Sequence, residues 1–215
     1  MIFLTAHWSH LILMNYELDP EFLRPFCPRG TEPDVREGRA FCSLVAFDFL
    51  DTRVLGVKWP GYTNFPEINL RFYVRHGEQR GVSFISELVP KRFIARMARL
   101  TYNEPYSYRP IRSRVERGGG KLRVRHQCGG PPGVQHIRVE ATDAPFLPPK
   151  DSWEHFFKEH RWGFGRARGG HTIRYEVRHG HWSCYPVERH ATNWDFGAMY
   201  GEEWAFLNEQ KPHSV

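Results

Sequence analysis

Residues 39–50 read RAFCSLVAFDFL. On the two-residue period of a strand, Phe41, Ser43, Val45, Phe47 and Phe49 share one face, and Cys42, Leu44, Ala46 and Asp48 share the other. Both faces are mostly apolar. Such a strand has to be covered on both sides, which is the pattern of a central strand rather than an edge.

The elements around it are short and separated by turn chemistry. Asp19-Pro20-Glu21 sets an N-cap before a proline at the first helical position, and Pro28 stops the helix after about Phe26. WPGYTNFP is a loop. Glu67 to His76 and Gly81 to Ile85 read as an antiparallel pair across His76-Gly77-Glu78. Pro90 opens a helix whose Phe93, Ile94, Met97 and Ala98 follow the helical period. Arg109–Glu116 and Lys121–Gln127 are strands joined by Gly118-Gly119-Gly120. Val134–Ala141 is a strand. Asp151 and Glu154 begin a helix that runs to about Arg161, and Thr172–His179 is a strand. The last 25 residues are aromatic and acidic, and are expected to pack as an irregular arm. The simplest organisation is one α+β domain over residues 1–187 with an arm of residues 188–215 packed on it.

Composition fits this class. The chain has 215 residues, of which 40% are hydrophobic and 25% charged, enough for a core without staples. Thirty-two aromatic residues argue against disorder. The net charge is +6, and 24 of the 30 basic residues are Arg, the side chain suited to bidentate anion recognition. No apolar run reaches the roughly 18 residues of a membrane span, so no membrane partner is expected. The first residues lack the basic start of a secretory signal. Cys27, Cys42, Cys128 and Cys184 fit no zinc or disulfide spacing, which reads as reduced thiols in a cytoplasmic protein.

NFPEINLRFYVR, residues 64–75, is the most informative stretch. Ile68, Leu70, Phe72 and Val74 form a core face. Glu67, Asn69, Arg71 and Tyr73 share the other face, spaced about 6–7 Å apart. Spacing alone favours a solvated face for such a row. If the row is instead buried, Glu67 and Arg71 need each other or a ligand.

Residues 64–88, NFPEINLRFYVRHGEQRGVSFISEL, resemble the signature of an uncharacterised bacterial family, the domain of unknown function 2071, also called YqjF-like. Asn15-Tyr16 with LDPEFLRPFCPRGTEPD resembles its opening. Glu176 to Trp182 resembles its late H-x-x-W, which places His179 at the family-like histidine. FFKEHR resembles its FL-x-E-R-Y, with His160 and Arg161 departing from the last two positions. That family is similar in turn to acetoacetate decarboxylase. The resemblance implies an antiparallel closed or cone-like β-barrel with flanking helices, built around a cavity.

The decarboxylase uses a lysine Schiff base after a G-R-E…G-F-P-K segment. The matching stretch here is Ala98-Arg99-Leu100…Asn103-Glu104-Pro105-Tyr106, so Tyr106 stands at the lysine's place and Glu67 matches the glutamate of its central strand. A phenol cannot form an iminium with a ketone. Lys91, in the first turn of a surface helix, and Lys121, at a hairpin, are poor substitutes.

The resemblance therefore implies a small-molecule pocket protein for a carboxylated or carbonyl-bearing ligand. If catalytic, it would be lyase-like or isomerase-like without a Schiff base. Glu67 and Tyr106 are the candidate catalytic residues. Asn69, Arg71, Tyr73, Arg99 and His179 are the candidate ligand-binding residues. No cofactor and no metal is expected: His179, His181 and Cys184 fall short of a zinc set. The relatives' assembly implies a homo-oligomer.

The alternative is a surface that binds anions or nucleic acid through the Arg-rich hairpin. There Lys121, Arg123 and Arg125 share a face, and Arg112 and Arg114 alternate with Ile111 and Val115. No aromatic is interleaved on that face, which disfavours nucleic acid.

Overall fold

The structure is a computed structural model that describes residues 4–54, 56–177, 180 and 182–215. The strands run in order as β1 (Leu4–Leu18), β2 (Glu32–Pro33), β3 (Ala40–Val54), β4 (Phe65–His76), β5 (Gln79–Val89), β6 (Tyr106–Tyr108), β7 (Ile111–Gly118), β8 (Lys121–Cys128), β9 (Gln135–Thr142), β10 (Trp162–Arg166), β11 (Thr172–Glu176) and β12 (Val187–Asn193). The helices are α1 (Pro20–Leu23), α2 (Arg92–Tyr102), α3 (Trp153–Lys158) and α4 (Phe196–Tyr200).

The strands form two sheets. The larger has the order β1-β3-β4-β5-β10-β11, with β2 also on β4 and β6 also on β5. The smaller has the order β12-β9-β8-β7. The class is mixed α+β, mostly sheet. The sheets do not close into the expected barrel: β1 and β11 stand at opposite ends of the larger sheet's path.

β3 behaves as its sequence demands and is buried on both faces from Ala40 to Phe47. One face of β3–β4 carries Cys42, Leu44, Ala46, Ile68, Leu70 and Phe72. It packs against Ile111, Leu122, Val124 and Ile137 of the smaller sheet and against Trp194, Phe196 and Trp204. The other face carries two separate apolar groups. One centres on Val45, Phe47, Phe49, Phe65 and Val89. The other centres on Phe41, Tyr73, Val82, Phe156 and Phe157, the last two from α3.

Several expectations are corrected. β1 is a long strand that polar interruptions hide: its register shifts between Ser9 and Ile12, where His10 has φ +55°. The helix expected over 151–161 is shorter, Trp153–Lys158, and Ser152 caps it by accepting from the His155 N–H. The strand expected to reach His179 ends at Glu176. The C-terminal segment is not irregular. It supplies β12, α4 and a 3₁₀ helix over Glu202–Asn208, and the Asn15 N–H donates to the Ser214 carbonyl.

α2 is turned away from the expected orientation. Ala95 is buried, but Phe93 and Met97 face solvent. Among the described residues no helix is long and apolar enough to cross a membrane. The four cysteines are free thiols.

A polar group lies between the sheets. Ser113 Oγ donates to Asp48 Oδ2 at 2.9 Å, and His10 Nδ1 lies 3.5 Å from the same oxygen. His126 is fully buried nearby, with no hydrogen bond at either ring nitrogen. Burial pushes the His126 imidazole down from 6.5 to about 4, against the opposing pull of the Asp48 charge. A depressed imidazole stabilises the fold above the unfolded value of 6.5 and loses that contribution as pH falls through 4. Thermal melts of His126→Leu and the parent should therefore diverge in acid, with the variant favoured by up to about 3 kcal/mol near pH 4.5. A pH-independent difference would place the acid sensitivity elsewhere.

Candidate functional site

The row on β4 is buried rather than solvated. Glu67 is 2% exposed, Asn69 3% and Arg71 7%, and Tyr73 is fully enclosed. The cause lies in β4's neighbours. It is paired with β3 and β5 along its length, and α3 and the aromatic groups cover the face that the row occupies.

The row divides into two ends. At the Tyr73 end, the phenol lies 2.5 Å from Ser43 Oγ, and Ser43 donates to Asn15 Oδ1 at 2.6 Å. Arg71 Nη2 donates to the Phe157 carbonyl at 3.0 Å. Its Nε is buried without a partner, and no carboxylate lies within ion-pair reach of the guanidinium among the described residues. At the Glu67 end, Asn69 Nδ2 donates to Glu67 Oε1 at 3.0 Å and the Tyr106 phenol donates to Glu67 Oε2 at 3.2 Å. Asn69 Oδ1 is left unpaired.

Register explains how Tyr106 reaches this point. Val45, Asn69, Glu87 and Tyr106 are successive cross-strand neighbours on β3, β4, β5 and β6. Glu87, buried and with Oε2 unpaired, is thus a member of the site that the sequence reading missed. The pairing of Arg71 with Phe84 and of Leu70 with Ser86 leaves Ile85 as a bulge. The extra residue shifts the alternation and aims Glu87 at the site face. Simple period-two counting from Val82 would have sent it to the other face.

Glu104 and Tyr175 complete the cluster. The Tyr175 phenol acts on the Glu104 carboxyl, whose Oε1 is buried and unpaired. Both lean on β10, where the chain reads Trp162-Gly163-Phe164-Gly165. A Cβ on Gly163 would lie 2.2 Å from the Tyr175 ring, and one on Gly165 would lie 2.7 Å from Glu104 Oε1. The paired glycines were the sequence signal for this close approach.

Three carboxyls in one dry region cannot all ionise. Burial pushes the Glu67 carboxyl up to about 7, with the Asn69 and Tyr106 hydrogen bonds pulling the other way. Burial also pushes Glu104 up to about 7, against its Tyr175 hydrogen bond. Glu87 is driven well above the carboxylate range by burial and then by the charges of Glu67 and Glu104. Near neutral pH the group holds exchangeable protons within reach of one another.

Arg99 stands apart from the row. With Tyr106 it borders a cleft of about 320 Å³, whose other walls include Ile85, Ser86, Met199 and Tyr200. Glu67, Asn69 and Arg71 do not line this cleft, and Tyr106 is the residue shared by the cleft and the buried row. His179 lies outside the described residues, as does His181. Lys58 pairs with Asp51, and Lys91 caps α2 with its ammonium over the Tyr62 ring. Lys121 pairs with Glu188, and buried Lys158 pairs with Glu159 at the end of α3.

The family model for an uncharacterised conserved protein, the domain of unknown function 2071, matches residues 5–215. The chain belongs to this family. Within it, the uncharacterised protein YqjF of Bacillus subtilis (strain 168) is 30% identical over 155 residues, which are 71% of this chain and 63% of that protein.

Solved structures place this domain of unknown function 2071 chain beside acetoacetate decarboxylase-like folds. An acetoacetate decarboxylase-like enzyme from Sphingomonas wittichii RW1 superposes with a TM-score of 0.53 at 15% identity, over 75% of this chain and 64% of that one. Acetoacetate decarboxylase from Legionella pneumophila gives 0.52 at 14%, over 80% and 62%. The enduracididine biosynthesis enzyme MppR, solved with pyruvate, gives 0.52 at 15%, over 72% and 61%. The chain spans less than two thirds of each, and the likeness is one of fold.

The raised carboxyls make a linkage prediction. A carboxyl raised in the folded state stabilises the fold fully below its unfolded value of 4.5, and that contribution is lost as pH rises through the folded value. Glu87→Gln should therefore gain stability over the parent as pH rises from 5 to 8, read as a widening Tm difference. Gly163→Ala should lower stability by about 1–3 kcal/mol at every pH, because the new methyl meets the Tyr175 ring.

Proposed function

We propose that this protein binds, and acts by proton transfer on, a small carboxylate that also carries a carbonyl group. The observation that carries this reading is the pairing of opposites along one buried row. Arg71 is a buried guanidinium with no acid partner among the described residues, and on the same face lie carboxyls that burial holds near or above neutrality. An isolated buried charge is costly, and a ligand carboxylate would offset that cost.

In this reading Arg71 anchors the ligand carboxylate, with Asn69 and Tyr73 orienting it. Glu67 takes or gives the proton, because a carboxyl near 7 is poised in both forms at neutral pH. Tyr106 donates to Glu67 and can turn that donation to a ligand carbonyl. Arg99 attracts the anion at the cleft. The placement of the lysines favours a route without a Schiff base: the buried one, Lys158, is held by Glu159. Pyruvate in the MppR structure is a neighbour's ligand of the same chemical class.

Thermal-shift and calorimetric titration with a panel of small 2-oxo, 3-oxo and simple carboxylic acids tests the reading. At least one acid should stabilise the parent, Arg71→Met should weaken its binding by about tenfold or more, and Glu67→Gln should bind it but not turn it over. Borohydride added with the bound oxo acid should leave the protein mass unchanged. Binding unaffected by Arg71→Met, or a stable mass adduct, would overturn the assignment.

A second reading has its own observation. Arg114, Arg125 and Arg138 are direct cross-strand neighbours on β7, β8 and β9 and exposed; Arg114 pairs with Glu116, and the row itself contains no carboxylate. The adjacent row, Glu116, Arg123 and Glu140, alternates in sign. Like charges in register disfavour the sheet, and an anionic partner would relieve them. Steep loss of binding with salt would mark this surface, whereas the buried site should respond weakly.

A further inference from the structure

α2 splits its apolar residues between two directions. Ala95 is buried, with Ile94 half-buried against the group around Phe47 and Val89. Phe93, Met97 and Leu100, at i, i+4 and i+7, form an outward ridge, 58%, 40% and 55% exposed. The turn per residue puts the three within about 60° of one another. A folded chain has little reason to hold such a ridge in water.

The loop before β4 extends the same surface. Trp59 is 53% exposed and Val57 is exposed with it. The Tyr62 ring lies 5.9 Å from that of Phe93, and the Lys91 ammonium lies 5.5 Å from the Tyr62 centroid. Loop and helix are thus joined through Tyr62 and Phe93.

The charged residues of the helix itself are all cations. Lys91, Arg92, Arg96 and Arg99 fall within residues 88–103, which contain no Asp or Glu. Arg92 is fixed in place over the Tyr108 ring at 4.2 Å. A two-fold contact with a second copy would bring two such cationic helices together, because an isologous interface repeats the same patch. The occupant has to be apolar and anionic together.

We infer that this face docks on an anionic lipid surface, with Phe93, Met97, Leu100 and Trp59 entering the headgroup boundary and the arginines meeting the phosphates. A helix with Arg on one side and large apolar residues on the other is suited to lie in that plane, and indole rings favour the same depth. Surface docking needs no spanning helix. It therefore revises the expectation of no membrane partner, which rested on span length alone. The inference is independent of the chemistry proposed for the buried row.

Co-sedimentation of the full chain with unilamellar vesicles tests it. Vesicles of phosphatidylcholine with one-third phosphatidylglycerol should pull the protein down, and pure phosphatidylcholine should not. The triple variant Phe93→Ser, Met97→Ser, Leu100→Ser replaces exposed side chains, and its melt should match the parent's. It should lose binding by about tenfold or more, as should Arg92→Glu combined with Arg96→Glu. Arg189→Glu, exposed on β12 of the smaller sheet, should bind as the parent does.

Equal binding by the triple variant would overturn the inference, as would loss of binding in Arg189→Glu, since either would mean general attraction of a basic protein. Absence of binding to the anionic vesicles would overturn it as well. So would concentration-dependent self-association that the triple variant abolishes, which would make the ridge an interface between copies.

Discussion

The pairing of β3 with β4, both buried on two faces, is the constraint on which the rest of the molecule depends. β3 has apolar residues on each side, so it can sit only between two layers. β4 is its direct neighbour and inherits that burial. One face of β4 suits the position. The other carries Glu67, Asn69, Arg71 and Tyr73, and these are drawn into the interior with it. The polar row is thus a consequence of where the most apolar strand must go.

Burial then sets the chemistry of the row. At the Tyr73 end, hydroxyls and amides satisfy one another through Ser43 and Asn15, and the arrangement is closed. At the Glu67 end, three carboxyls are gathered from β4, β5 and the turn before β6, and burial, joined at Glu87 by the charges of Glu67 and Glu104, keeps protons on them. Between the two ends stands Arg71, which donates to the Phe157 carbonyl and lies over the Tyr73 ring. Unpaired atoms on Asn69, Arg71, Glu87 and Glu104 concentrate here. Buried polar groups are usually satisfied, and this concentration supports the proposed site.

α2 connects this interior to the surface. Its inner side seals the apolar group beside Tyr106, its Arg99 borders the cleft that Tyr106 shares, and its outer side bears the exposed ridge. The helix is held by few buried residues, Ala95 foremost. Ala95 and half-buried Ile94 pack against Val45, Phe47 and Val89, while Phe93 faces outward.

Local pattern determined much of this protein. Alternation identified β3, β4 and the β7–β8 hairpin, and turn residues separated them. It also placed Glu67, Asn69, Arg71 and Tyr73 on one face, and motif resemblance added Tyr106 and the family. Tertiary structure decided the rest. Whether the row met water or protein depended on α3 and the aromatic groups that cover its face. Glu87 joined the site through a one-residue bulge, which no periodicity shows in advance. Glu104 and Tyr175 approached because two glycines on β10 left them room. α2's hydrophobic period announced an apolar arc, yet only packing settled which part of that arc was buried. Periodicity fixes faces within one element. Which face is covered is set by neighbours that arrive from elsewhere in the chain.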